Sequence, residues 1–204
     1  MIGFILLPLV FILYYAITAA DGSFTFSNIA AIADPVHVKS ILLSLKLGFL
    51  CTLFCLVLSY PLCMILSIFR FRHQSFVVFL FILPMWMNFL IRTYSLMTIL
   101  GDSGVVNSLL NALGLKSVHM INTGGAVIFG MVYNFLPYMI LPIYTVLSKL
   151  DNSLVEAAHD LGSGRATTFK RVILPLSLPG LLSGITMVFV PCVSTFYITQ
   201  KLGG

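Results

Sequence analysis

The sequence predicts an all-α, polytopic membrane protein, and three observations carry that expectation. Hydrophobic residues make up 59% of the 204 residues and charged residues only 8%, with a mean hydropathy of +1.08. Soluble domains carry about 25% charged residues, and 11 basic with 6 acidic side chains are too few to cover the surface of one large soluble core. The apolar residues also fall into five runs, each about as long as or longer than the roughly 20 residues that a bilayer-crossing helix requires. Finally, the basic residues are scattered between those runs. The net charge of +5 and pI near 9.1 therefore reflect membrane topology rather than a nucleic-acid patch.

The five runs are residues 2–20, 38–69, 76–100, 124–148 and 175–199. Each is expected to be helical, because lipid offers backbone N–H and C=O groups no partner outside the segment. The first run ends in ITAADGSF, a small-residue stretch that a signal peptide shares. It lacks a basic amino-terminal region, and the reading adopted is an uncleaved span. Gly48, Ser59, Gly130 and Ser183 are expected to let the helices pack closely.

Lys and Arg set the orientation. Arg70, Arg72, Lys149, Arg165, Lys170 and Arg171 lie in the second-to-third and fourth-to-fifth loops and outnumber Lys39, Lys116 and Lys201 in the alternate ones. By the positive-inside rule the amino terminus is cytoplasmic, and residues 21–36 and 101–123 face outward.

The cytoplasmic loop at residues 149–174 is the least apolar long stretch. Ser153 and Glu156 have the spacing of a capping box, which predicts a short helix starting near Leu154. Leu154, Ala157, Ala158 and Leu161 then share a face, and Gly162 supplies the left-handed residue that ends the helix. Residues 166–173 are expected to form a second short helix, with Pro175 opening the fifth span. By these features alone the hairpin is either an amphipathic connector or a partner-docking element.

Glu156, Ala157 and Ala158, then Gly162 three residues on, then Val172, Leu174 and Pro175 after nine more, resemble the EAA loop of ABC importer permeases. Longer stretches, among them "ILPMWMNFLIRTYSLMTIL" and "GMVYNFLPYMILPIYTVLSKLDNSLVEAAHDLG", resemble the spermidine/putrescine permeases of the PotB type, from about Phe24 onward. The resemblance implies the type I ABC importer permease fold as one transmembrane domain over 1–204, an inner-membrane location, and polyamine transport. It implies that Glu156, Ala157, Ala158, Asp160, Leu161 and Gly162 couple to the ATPase. The implied partners are an ATP-binding subunit acting as a homodimer, a second homologous permease, and an extracytoplasmic polyamine-binding protein. In that pattern a sixth span follows the final Gly-Gly, so the chain reads as truncated at its carboxyl end. Permeases for ferric iron, phosphonate or other organic cations share much of the pattern and form the alternative, together with a non-functional fragment.

A polyamine leaving water needs carboxylates or aromatic faces. Asp21, Asp34, Asp102, Asp151, Glu156 and Asp160 all fall outside the apolar runs. Trp86, Asn88, Tyr94, Tyr133, Asn134 and Tyr138, near Pro84 and Pro137, are therefore the candidates for the substrate path. Tyr and Trp marking the bilayer interface, and Asn joining helices, is the competing reading. Arg92 is expected to reach the outer interface or to pair with Asp102, and Lys46 to reach that interface too.

Other chemistry finds no motif. Cys51, Cys55 and Cys63 share a helix face as packing residues, Cys192 stands apart, and His37, His73, His119 and His159 lie in loops. No cofactor, metal site or catalytic triad is expected, and GDSGVVNSLLNALGLKS lacks the Lys-Ser/Thr end of a nucleotide-binding loop. ATP hydrolysis is assigned to a partner, so the chain itself is not an enzyme.

Overall fold

The computed structural model describes residues 2–18, 22–68 and 74–203. Among them the structure is helical apart from turns and one isolated antiparallel bridge between Thr18 and Phe24. The chain forms two compact units, residues 1–46 and 47–204, and the division falls inside one long helix.

The first unit opens with α1 (Ile2–Ala16). This helix is apolar but only 15 residues long, about 22 Å at 1.5 Å per residue, against a hydrocarbon core of about 30 Å. The expected first span to residue 20 is thus shorter than foreseen. The helix ends because the chain turns back on itself, with Thr25 N–H donating to the Ile17 carbonyl at 2.9 Å. Asn28, in the four-residue α2 (Ser27–Ala30), secures the turn by donating to the carbonyls of Tyr15 and Thr18 at 3.0 and 3.1 Å. A 3-10 turn (Ala31–Ala33) leads to α3 (Pro35–Ile68). Asp34 caps that helix by accepting from Val36 N–H at 3.1 Å, and Pro35 occupies the first position, where its missing donor costs nothing.

The second unit takes the rest of α3 and all later elements. The expected third span is broken. It consists of α4 (Gln74–Ile82), a 3-10 turn (Leu83–Trp86) and α5 (Phe89–Leu100), and residues 76–86 are bent by 98° from residues 89–112. Pro84 starts the break, since it has no N–H to continue an α-helix. Met87 is extended, and Asn88 recaps the chain by accepting from Leu90 N–H at 2.8 Å. After α6 (Val105–Ala112), Thr123 caps α7 (Gly124–Leu147), which matches the expected fourth span and stays helical through Pro137 and Pro142. The loop holds α8 (Asn152–Asp160) and α9 (Arg165–Thr168). A π turn (Phe169–Ile173) then feeds α10 (Leu174–Ser194), and α11 (Phe196–Leu202) follows a break at Thr195.

Among the described residues three helices are long and apolar enough to cross a membrane, or four when the bent pair is counted as one span. That is fewer than the five runs in the sequence, because α1 is short. The fifth span also differs in extent, since helical structure runs from Arg165 without a stop at Pro175. The wide π turn removes the crowding that a proline ring imposes on the carbonyl one α-turn earlier.

The core lies around α7, whose principal partner is α10. Met131, Met139, Ile140, Ile143, Val188 and Ile198 are almost wholly buried in it. Small residues bring the two helices together, but not all of those expected. Ser183 is exposed and donates to its own Pro179 carbonyl. The close approach is at Gly180, where an added Cβ would stand 2.8 Å from the Pro142 carbonyl oxygen, and at Gly184 against Met139. Gly130 takes Leu202 of α11 against it, and Ser59 is fully buried, as expected.

Candidate functional site

The loop between α7 and α10 is built from the helix ends upward. Asp151, rather than Ser153, is the N-cap of α8, with its carboxylate accepting from Ser153 N–H at 3.0 Å. The expected capping box is therefore not formed: the helix begins at Asn152, which places Ser153 inside the first turn. The aspartate two residues upstream takes the Ser153 N–H that Glu156 was expected to hold, and its charge also meets the positive helix end. The other end is as expected. Gly162 has φ +76°, its N–H donates to His159 O at 2.9 Å, and Ser163 N–H donates to Ala158 O at 3.0 Å. That pair of bonds is the Schellman motif. His159 Nδ1 adds a contact to the Ser163 carbonyl at 3.1 Å.

The faces of α8 differ from the stripe expected. Val155 and Ala158 turn inward, Val155 packing on the core, whereas Leu154, Ala157 and Leu161 are exposed together with Glu156 and Asp160. Leu161 is 88% exposed. The coupling candidates thus present an apolar ridge of Leu154, Ala157 and Leu161 flanked by two carboxylates. Behind α8, the π turn is held against the transmembrane helices. Phe169 makes an edge contact with the Tyr60 ring at 5.9 Å, and the Tyr60 hydroxyl lies 3.0 Å from Ser177 Oγ. Ser67 also donates to the last carbonyl of α7, Leu147, at 2.7 Å. The Phe169–Tyr60 contact joins the loop to α3, and the two hydrogen bonds join α3 to α10 and to α7, the helices on either side of the loop.

The substrate-path candidates divide between faces. Asn134 is 1% exposed and donates to Gly130 O at 2.8 Å, and Tyr138 is half-buried beside Phe135. Trp86 is 82% exposed at the α4–α5 break, with its ring edge-on to Phe79. Asn88 is spent as a cap, Tyr94 lies beneath Lys201 Nζ at 5.6 Å, and Tyr133 is on the outer face of α7. Lys46 is exposed.

Arg92 departs from both expectations. It is 5% exposed and donates from Nη1 to the Pro84 carbonyl at 3.1 Å, while Asp102 pairs with His119 at 2.8 Å. The Pro84 carbonyl, which also accepts from Met87 N–H at 3.1 Å, takes the guanidinium in place of a loop carboxylate. The cysteines also differ in one respect, since Cys192 meets Cys51 at 3.4 Å. His37 lies within the first turn of α3 rather than in a loop. Asp21, Arg70, Arg72 and His73 lie outside the described residues. Among the described residues no three His, Cys, Asp or Glu side chains are grouped to hold a metal ion.

The chain is similar to known proteins. The family model of the binding-protein-dependent transport system inner membrane component matches residues 3–204. The chain belongs to that family. Among its relatives, the spermidine/putrescine transport system permease protein PotB of Haemophilus influenzae is 37% identical over all of this chain and 74% of its own length. PotB of Escherichia coli K12 is 39% identical over 89% of the chain and 66% of its own length. The inner membrane ABC transporter permease protein YdcU of the same strain is 29% identical over 88% of the chain. The chain therefore spans about two thirds to three quarters of the length of the PotB proteins it matches. A bacterial ABC transporter involved in importing the acidic polysaccharide alginate has a chain that matches with a TM-score of 0.69, at 17% identity, over 92% of this chain and 74% of its own. That likeness shows the fold of an ABC importer permease. As family members, such chains are inner-membrane transport components.

Proposed function

We propose that this chain is the transmembrane permease subunit of an ATP-driven importer of polyamines, spermidine and putrescine. The single observation that carries the substrate class is 37–39% identity to PotB proteins across most of the chain. The coupling role rests on geometry. Residues 149–174 hold a short helix capped at both ends, with an uncovered apolar ridge, followed by a π turn whose Phe169 packs on Tyr60 of α3. A helix fixed in this way moves as a body, so a push from a docked ATPase reaches α10 through the π turn rather than melting the loop.

The same reading makes ATP hydrolysis the work of a partner homodimer. A second homologous permease completes the path, and an extracytoplasmic polyamine-binding protein delivers substrate. Orientation follows the Lys and Arg distribution, with the amino terminus cytoplasmic. The apolar runs, including the first, lie as one permease domain in the bacterial inner membrane. In this reading Trp86, Tyr94 and Tyr133, exposed on this chain alone, meet the cation or the second permease, and the less exposed Asn134 and Tyr138 support the path.

The test is uptake of labelled spermidine by vesicles that hold the full-length protein with its three partner components. The proposal expects uptake that needs ATP and all components, and that unlabelled putrescine suppresses. Uptake of ferric iron or phosphonate in place of polyamine would overturn the substrate class and leave the family intact.

A further inference from the structure

Three thiols from two helices meet inside the second unit. Cys51 and Cys55 lie one turn apart on α3, and Cys192 lies near the carboxyl end of α10; none is more than 2% exposed. All are reduced. The Cys192 sulfur is 3.4 Å from that of Cys51, and the Cys51 and Cys55 sulfurs are 4.0 Å apart.

Geometry separates these pairs. A disulfide needs Cβ atoms about 3.5–4.5 Å apart and Cα atoms about 4.4–6.8 Å apart. Residues four apart on a helix hold their Cβ atoms at about 5–6 Å, so Cys51 and Cys55 do not bridge. Cys51 and Cys192 come from separate helices that approach each other beside them, at Gly48 and Val193. A Cβ added at Gly48 would stand 2.8 Å from Val193 Cγ2 and 3.5 Å from the Val193 nitrogen. Closing a 3.4 Å contact to an S–S bond of about 2.05 Å takes about 1.4 Å, within the reach of side-chain rotation. Cys63 is turned away, toward the Ile140 carbonyl at 3.5 Å.

We propose that Cys51 and Cys192 are a redox pair whose disulfide staples α3 to α10. Both are buried, so the oxidant must be small and uncharged, and hydrogen peroxide is of that class. One sulfur attacks a peroxide oxygen, the O–O bond breaks, and a sulfenic acid and one water result. The other sulfur then attacks the sulfenic sulfur, the S–S bond forms and the S–O bond breaks, releasing the second water. Two thiols lose two electrons to the peroxide, and their protons leave in the waters. Cys192 lies at the end of α10 opposite the π turn, so the staple fixes one end of the helix whose other end carries the loop. Oxidation therefore slows the transport cycle, a consequence that rests on the proposed coupling role.

The experiment treats membrane vesicles holding the full-length protein and its partners with hydrogen peroxide. Free thiols are then alkylated in denaturant, and the digest is analysed without reductant by mass spectrometry. The expected result is a Cys51–Cys192 linked peptide that dithiothreitol removes, that persists in Cys55→Ser and that is absent from Cys192→Ser. Complete alkylation of both residues after peroxide, or a link through Cys55 instead, would overturn the pair and leave them as packing residues. Substrate-stimulated ATP hydrolysis is read in the same vesicles. It is expected to fall several-fold in oxidised wild type, to recover with dithiothreitol, and to resist peroxide in Cys192→Ser. A linked peptide with unchanged hydrolysis would overturn the restraint on the cycle. Absence of stimulated hydrolysis in reduced wild type would count against the coupling role alone, because the linked peptide does not depend on it.

Discussion

Gly180 is where the account of the helix core is most exposed to test. Its added Cβ would meet the Pro142 carbonyl oxygen at 2.8 Å and two Val146 carbons at 3.0 and 3.1 Å. The first of these is backbone, inside α7, and has no rotamer through which to retreat. Gly180→Ala therefore forces α10 away from α7 by a few tenths of an ångström along the principal helix pair, and overpacking of this kind costs about 1–3 kcal/mol. The better helix propensity of alanine offsets up to about 1 kcal/mol, which, taken from the middle of that range, leaves a net loss of about 1–2 kcal/mol. For a domain of this size each kcal/mol moves the melting temperature by about 2–4 °C. Thermal unfolding of the full-length protein in detergent, followed by monodisperse fraction against temperature, should show a drop of roughly 2–8 °C. Gly164→Ala, where nothing lies within 4 Å of the added Cβ, is the control and should move little. A Gly180→Ala melting point at or above wild type would refute the claim that backbone contact at this glycine sets the α7–α10 spacing.

Removing the observed cap should weaken the loop helix more than removing the expected one. Asp151→Ala should cost about 1 kcal/mol of local stability and speed amide exchange across residues 152–160, while Ser153→Ala changes exchange little; the reverse order would restore the capping box. At Gly162 the strain is purely backbone, since φ is +76° and an added Cβ meets nothing within the chain. Gly162→Ala should thus lose roughly 1 kcal/mol, and Gly162→Asp should further lower ATPase co-purification; equal co-purification of Gly162→Asp and wild type would remove this residue from the docking face. Trp86→Ala and Tyr133→Ala should reduce spermidine uptake without loss of assembly, because an aromatic face contributes about 0.5–2 kcal/mol to a cation. Wild-type uptake by both would take them out of the path.

The composition made the all-helical membrane fold legible, because lipid leaves the backbone one solution wherever an apolar run is long enough. The fourth run matched its helix closely, and Gly162 ended α8 as its position implied. The misses have local causes. At Pro84 the sequence shows an unbroken apolar run, but the backbone lacks a donor there and Asn88 stands ready to restart a helix. At Pro175 the opposite happened, and a π turn carried the helix through a residue that usually opens one. Ser153 and Glu156 had the right spacing for a cap, yet Asp151 two positions earlier was the stronger acceptor. Contacts between distant segments, such as Arg92 with Pro84 O, Tyr60 with Ser177 and Cys51 with Cys192, depend on helix register, which hydrophobic periodicity leaves open. The candidate site was legible as a motif in the loop. Its outward face was not, because Leu154, Ala157 and Leu161 have the spacing of a buried stripe.

The most direct test of the central claim, that α8 docks on the ATPase, uses Leu161, the most exposed apolar side chain of that segment at 88%. A photo-crosslinking amino acid at position 161 of the full-length protein, in membranes with all partners, should capture the ATP-binding subunit in high yield. The same probe at Val155, which packs inward, should capture none. Equal capture from both positions, or capture of lipid alone from position 161, would contradict the coupling role and leave the hairpin an interfacial connector.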